Sequence, residues 1–162
     1  MRKMTNNGLL LCKIQADLFA NYASFTHCSP YVFIRRFLFS DLAKRFDDTT
    51  VLLDSSSNQT FIDEIDEQFG KTTFGGGKSI NREVMYWIGY VYRYWAYTYE
   101  IPSSELFGKV QPKILEKRYE LYHSMDVEYL IERIIEEEHI DLMTTKQLLD
   151  LLEEFKSRHS GN

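Results

Sequence analysis

The stretch from Glu83 to Tyr99 limits what this chain can become more than any other, because eight of the fourteen residues from Tyr86 to Tyr99 are aromatic. Wound as a helix, it places Trp87, Ile88, Val91, Tyr92, Trp95 and Tyr99 on one broad face. Tyr86, Tyr90, Arg93, Tyr94 and Tyr97 cover the other. A surface helix carries one apolar stripe, whereas this one is bulky all round. It must therefore be a central helix with neighbours packed about it, or one with a side left for a partner. Gly89, at its middle, lets another helix come close.

The remaining sequence supplies those neighbours. Leu11, Ile14, Leu18 and Tyr22 recur at three- and four-residue steps and predict a first helix over about residues 8 to 24. Ser29-Pro30 reads as an N-cap followed by proline at the first helical position, opening a helix to about Phe46, where Asp47-Asp48-Thr49-Thr50 stops it. Val51-Leu52-Leu53 and the polar run to Asn58 read as a loop with room for one isolated extended segment. Ile62, Ile65 and Phe69 define a short helix closed by Gly70, and Gly75-Gly76-Gly77 reads as a flexible loop, the best boundary within the fold. Further helical segments begin at Pro102 and Pro112, and Asp126 caps another. Thr144 and Gln147 form a capping box for a last helix whose Leu148, Leu149, Leu152 and Phe155 are expected to face inward. The expectation is an all-α fold over residues 1–162, a single compact helical domain of about six to eight helices around the aromatic one.

Charge narrows the choice of partners. Nineteen Lys and Arg stand against twenty-four Asp and Glu, for a net charge of −5. Nucleic-acid binders meet phosphate with a basic excess, so direct nucleic-acid binding is not expected. Stacking of bases on the rings would also need interleaved bases, and Arg93 stands alone among them. The acid gathers late in the chain, at Glu132, Glu136, Glu137, Glu138 and Asp141. That run suits a basic partner, although most charge runs are solvated faces. The opening Leu9-Leu10-Leu11 is too short for a signal core or a membrane span, and Cys12 and Cys28 read as free, partly buried thiols, so a cytoplasmic location is expected.

Catalytic and metal signatures fail one by one. Gly77-Lys78-Ser79 resembles the end of a phosphate-binding loop, but Thr72 stands where the first glycine is required. Cys12, Cys28, His27, His123, His139 and His159 make neither a CxxC nor an HExxH, so no metal and no cofactor are expected. His123 with a carboxylate is the one enzyme reading kept open, as such groups meet in space rather than in sequence. A partner protein fits the residues better. Tyr, Trp and Arg bury large area with few rotors and still offer a polar tip. The expected partner-binding residues are accordingly Tyr86, Tyr90, Arg93, Tyr94 and Tyr97, with Glu136, Glu137 and Glu138 for a basic partner.

Around Tyr86-Trp87-Ile88-Gly89-Tyr90-Val91-Tyr92-Arg93-Tyr94-Trp95 the chain resembles a family of uncharacterised bacterial proteins. Ser103-Ser104, the spaced Tyr119, His123 and Asp126, and the opening Cys12 to Phe19 share in the resemblance, which covers about residues 10–138. The last helix, about 144–158, lies outside it. Such proteins sit in toxin–antitoxin-like or mobile-element loci, so the resemblance implies a toxin or defence protein as partner and an antitoxin-like neutralising role. An inhibitor of a host defence nuclease, imitating phosphate with its acidic surface, is the alternative.

Overall fold

The computed structural model describes residues 1–50 and 56–161, and all regular structure among them is helical. Nine α-helices are present there, slightly more than the sequence predicts. They are α1 (Asn6–Asn21), α2 (Pro30–Phe39), α3 (Asp41–Asp47), α4 (Asn58–Phe69), α5 (Arg82–Tyr99), α6 (Ser103–Lys109), α7 (Pro112–Tyr122), α8 (Val127–Glu138) and α9 (Thr145–His159). One 3-10 turn, Tyr22–Ser24, extends α1. The Val51-Leu52-Leu53 segment read as loop or strand lies outside the described residues.

Local chemistry explains where the helices begin. Thr5 Oγ1 accepts from Gly8 N at α1, Ser29 accepts from Tyr31 N with Pro30 behind it, and Asp126 accepts from Glu128 N. The stretch expected as one helix from Pro30 to Phe46 is two. Ser40 adopts an extended conformation and its hydroxyl caps Ala43 N, so a serine that a helix interior tolerates poorly starts a new one instead.

Helix α5 is the axis. Trp95, Tyr92, Val91 and Ile88 are buried along it, and one apolar core draws residues from α1 through α8. Helix α1 lies antiparallel against it over most of its length. The contact runs from Arg82 Nη2 donating to Asn21 Oδ1 (2.7 Å), through Gln15 Nε2 donating to the Gly89 carbonyl (3.0 Å), to Thr5 meeting the Tyr97 hydroxyl (2.7 Å). Gly89 makes the approach possible. A Cβ there would stand 2.8 Å from Phe19 Cγ and 3.0 Å from the Cα of Ala16. Beyond α1, edge-on rings of Phe19, Phe33, Phe37, Phe46 and Phe61 carry the core outward to α2, α3 and α4.

The glycine loop is no boundary between halves. Phe74 O accepts from Ser29 N at 2.8 Å, and a Cβ on Gly76 would collide with the His27 carbonyl, so the loop is seated on the α1–α2 connection.

Helix α9 departs from expectation most. Its capping box forms as predicted, yet Leu148, Leu149, Leu152 and Phe155 are exposed, and no residue of α9 among the described ones is buried. The cause lies just before it. His139 ends α8 in a left-handed turn, Lys109 Nζ holds the carbonyls of Asp141 and Met143 against α6, and Glu105 accepts from Thr145 N. The chain is thus tied down at the root of α9 while the helix itself projects.

Candidate protein-binding face

Of the two faces read for α5, α1 covers a different stripe from the one anticipated. Gly89, Arg93 and Tyr97, spaced by four, lie under α1 and the N-terminal segment. Arg93 and Tyr97 are therefore corrected from interface to interior. Arg93 is 1% exposed, with its Nε on Gln15 Oε1 (2.7 Å), Nη1 on Asp47 Oδ1 (2.6 Å) and Nη2 on Ser103 Oγ (2.8 Å). Its donors are engaged by side chains from α1, α3 and α6, which fixes those helices about α5. Tyr97 lies beneath Arg2, whose guanidinium sits 3.8 Å from the ring centre and whose Nε donates to the Tyr97 carbonyl. The signal was present in Gln15, a polar residue among the apolar positions of α1, which had to find a buried partner.

What remains outward on α5 is a ladder, Tyr86, Tyr90 and Tyr94, again spaced by four. Tyr86 is 40% exposed, and Tyr90 and Tyr94 are half-buried and stacked with centroids 6.3 Å apart. Burial pushes the phenols of Tyr90 and Tyr94 upward, and the nearby Glu128 and Asp126 add to the shift at Tyr94. Both hydroxyls therefore remain neutral donors at physiological pH.

At the Tyr86 end the ladder opens into a hollow of about 640 Å³ between α1, α5 and α7. Trp87 and Tyr119 meet edge-on at 5.6 Å and form its floor, and His123 stacks on Tyr119 at 4.6 Å. His123 Nδ1 donates to the Tyr119 carbonyl (2.8 Å), which leaves Nε2 as the acceptor of the neutral ring. Arg82 and Asp17 also line the hollow, tied together through Asn21. Asp17 comes from α1, Trp87 from α5 and His123 from the C-cap of α7, so three segments distant in sequence build one concavity. Sequence reading singled out Tyr86 and His123 separately and missed that they share it. It also missed half-buried Tyr119 and buried Trp87 as neighbours in that hollow, since loop lengths do not reveal which helix faces which.

The acidic residues behave differently. Arg118 bridges Glu137 and Glu138, and Tyr122 donates its hydroxyl to Glu137. That hydroxyl, with Arg118 and Arg133 assisting, holds the Glu137 carboxyl below the usual range. Glu136 alone of the three is exposed without an ion pair shown. Among the described residues no group of three His, Cys, Asp or Glu could hold a metal ion, and no helix is long and apolar enough to cross a membrane. No family model, curated protein or solved structure matches the chain.

Proposed function

We propose that this chain is a non-catalytic protein-binding module, an antitoxin-like neutraliser or regulator that grips a partner protein through the tyrosine ladder and the hollow beside it. One observation carries the reading: Tyr86, Tyr90 and Tyr94 surface along an otherwise buried helix and lead into a concavity walled by Trp87, Tyr119 and His123. Aromatic side chains of this kind anchor complexes because each buries about 150–250 Å² at low rotamer cost. A hollow that receives a partner side chain at the centre of such a patch is the usual seat of binding energy. The resemblance of the Tyr86–Trp95 block to proteins of toxin–antitoxin-like loci supports a neutralising role for the bound state. The alternative, phosphate mimicry against a nuclease, is weakened because Glu137 and Glu138 are already engaged in ion pairs with Arg118, and Glu137 with Arg133 as well.

The test is capture of the partner from the cell that encodes this chain, comparing wild type with the Tyr86→Ala, Tyr94→Ala double variant. Loss of one specific protein from the eluate, with unchanged circular dichroism, is the expected result. Equal capture by both forms refutes the assignment of this face.

A further inference from the structure

A second hollow, of about 350 Å³, lies between the α1–α2 connection and the 76–82 segment that leads into α5. In a chain of net charge −5, its wall holds Lys78, Arg82 and His27 and no Asp or Glu. Neighbouring hollows each carry a carboxylate: Asp17 and Glu83 beside the tyrosine ladder, Glu128 under the N-terminal segment, Asp63 and Asp66 between α4 and the glycine loop. We infer that this hollow is an anion site, and that its ligand is a small molecule bearing a phosphate group held by Lys78 and Arg82. The inference does not depend on the protein-binding face, with which the hollow shares Ala20 and Arg82.

Both cations have donors to give. Lys78 is exposed, and its ammonium bonds to nothing among the described residues. Arg82 places Nη2 on Asn21 Oδ1 (2.7 Å), which steadies the guanidinium and leaves its other N–H groups unengaged. His27 adds a ring N–H, and Ser24 and Ser79 add hydroxyls. Acids on the adjoining surfaces are already engaged: Asp17 accepts from Asn21 and Asn58, Asp63 from Gln59, and Asp66 pairs with Arg36. Glu83, the next residue of α5, lines the ladder's hollow and not this one. A phosphate suits the arrangement better than a carboxylate, since its several charged oxygens can meet two cations from separate segments and the hydroxyls between them.

The glycine loop holds Lys78 in a fixed place. Gly76 N donates to Thr73 O and Lys78 N to Gly75 O, both at 3.0 Å. Gly76 packs so tightly on the α1–α2 connection that a Cβ would stand 2.3 Å from the His27 carbonyl. Because those two N–H groups are used within the loop, side chains rather than a backbone cradle hold the anion. The site is therefore no nucleotide-binding loop of the usual kind, in keeping with Thr72 in place of glycine and α4 rather than a strand before it.

Titration of the full chain with inorganic phosphate and with ribose 5-phosphate, against chloride at matched ionic strength, tests this by amide chemical shifts. Saturable shifts at Ser24, Lys78, Ser79 and Arg82 are expected, together with a rise in melting temperature as ligand is added. An equal response to both compounds assigns the site to the bare anion, and a stronger response to the ester assigns the remaining space to its carbon frame. Lys78→Gln should weaken binding at least about tenfold. Without phosphate that variant should melt like wild type, as the exposed Lys78 side chain makes no contact that would be lost. No saturable shift beyond that of chloride, shifts centred on Arg36 or Lys71 instead, or full affinity in the Lys78→Gln, Arg82→Gln double variant would each overturn the proposal.

Discussion

Arg93 and Asp47 form an ion pair inside the protein, with Nη1 to Oδ1 at 2.6 Å and only 1% of the arginine side chain and 18% of the aspartate side chain exposed. Ser103 completes the arrangement, its N–H on Asp47 Oδ2 (3.0 Å) and its hydroxyl on Oδ1 (2.6 Å). The charge at the middle of α5 is thus a fastening between helices rather than a docking group. Removing Asp47 leaves the buried Arg93 guanidinium without its counter-charge, and removing Arg93 leaves the partly buried Asp47 carboxylate held by Ser103 alone. Arg93→Ala and Asp47→Ala should each lose about 3–5 kcal/mol of stability, measured by denaturant unfolding. Arg93→Lys should also destabilise, since an ammonium cannot serve Gln15, Asp47 and Ser103 from one fork.

Contact between α1 and α5 depends on a missing side chain. Gly89→Ala should destabilise by about 1–3 kcal/mol, because the new methyl would press on Phe19 and on the Ala16 backbone, which has no rotamer by which to withdraw. Thermal unfolding of that variant checks the close approach.

How much of this was legible beforehand can be judged residue by residue. The caps at Ser29, Asp126 and Thr144 and the central place of α5 follow from local rules, because capping and amphipathic periodicity act over a few residues. Arg93 could not be placed in that way. Its partners Gln15 and Asp47 lie 78 and 46 residues away, and although Gln15 stands out among the apolar positions of α1, nothing local says which residue it meets. The same limit applies to the hollow, where Asp17, Trp87 and His123 meet only once three helices have packed. For α9, the pattern of leucines declares a face that demands cover but is silent on whether the same chain provides it.

Cys12 and Cys28 should be inert in the folded protein. Burial pushes the Cys12 thiol up to about 12, against a smaller opposing pull from Arg93, and burial raises Cys28 as well. At pH 8 neither should react with a disulfide reagent until the protein is unfolded in guanidinium, when both should titrate. Because the folded value of Cys12 lies above the ordinary value of 9.0, the folded state holds that proton more tightly. Its contribution to stability is therefore intact below pH 9 and declines as pH climbs from there towards 12.

On the tyrosine ladder the expected effects separate binding from folding. Tyr86→Ala should weaken partner binding by about 2 kcal/mol, near thirty-fold, while unfolding stability changes by no more than about 0.5 kcal/mol. Tyr92→Ala, fully buried on the same helix with its hydroxyl on the Val110 carbonyl, should do the reverse and unfold the protein more readily. Titration calorimetry and denaturant melts on the two variants make the comparison.

Hydroxyl-radical footprinting of the chain, free and in complex with the captured partner, addresses the binding face most directly. Oxidation of Tyr86, Tyr119 and His123 should fall sharply on complex formation, with no comparable change at Phe74 on the glycine loop. Undiminished oxidation of Tyr86 and His123 in the complex, with protection confined to another surface, would contradict the assignment.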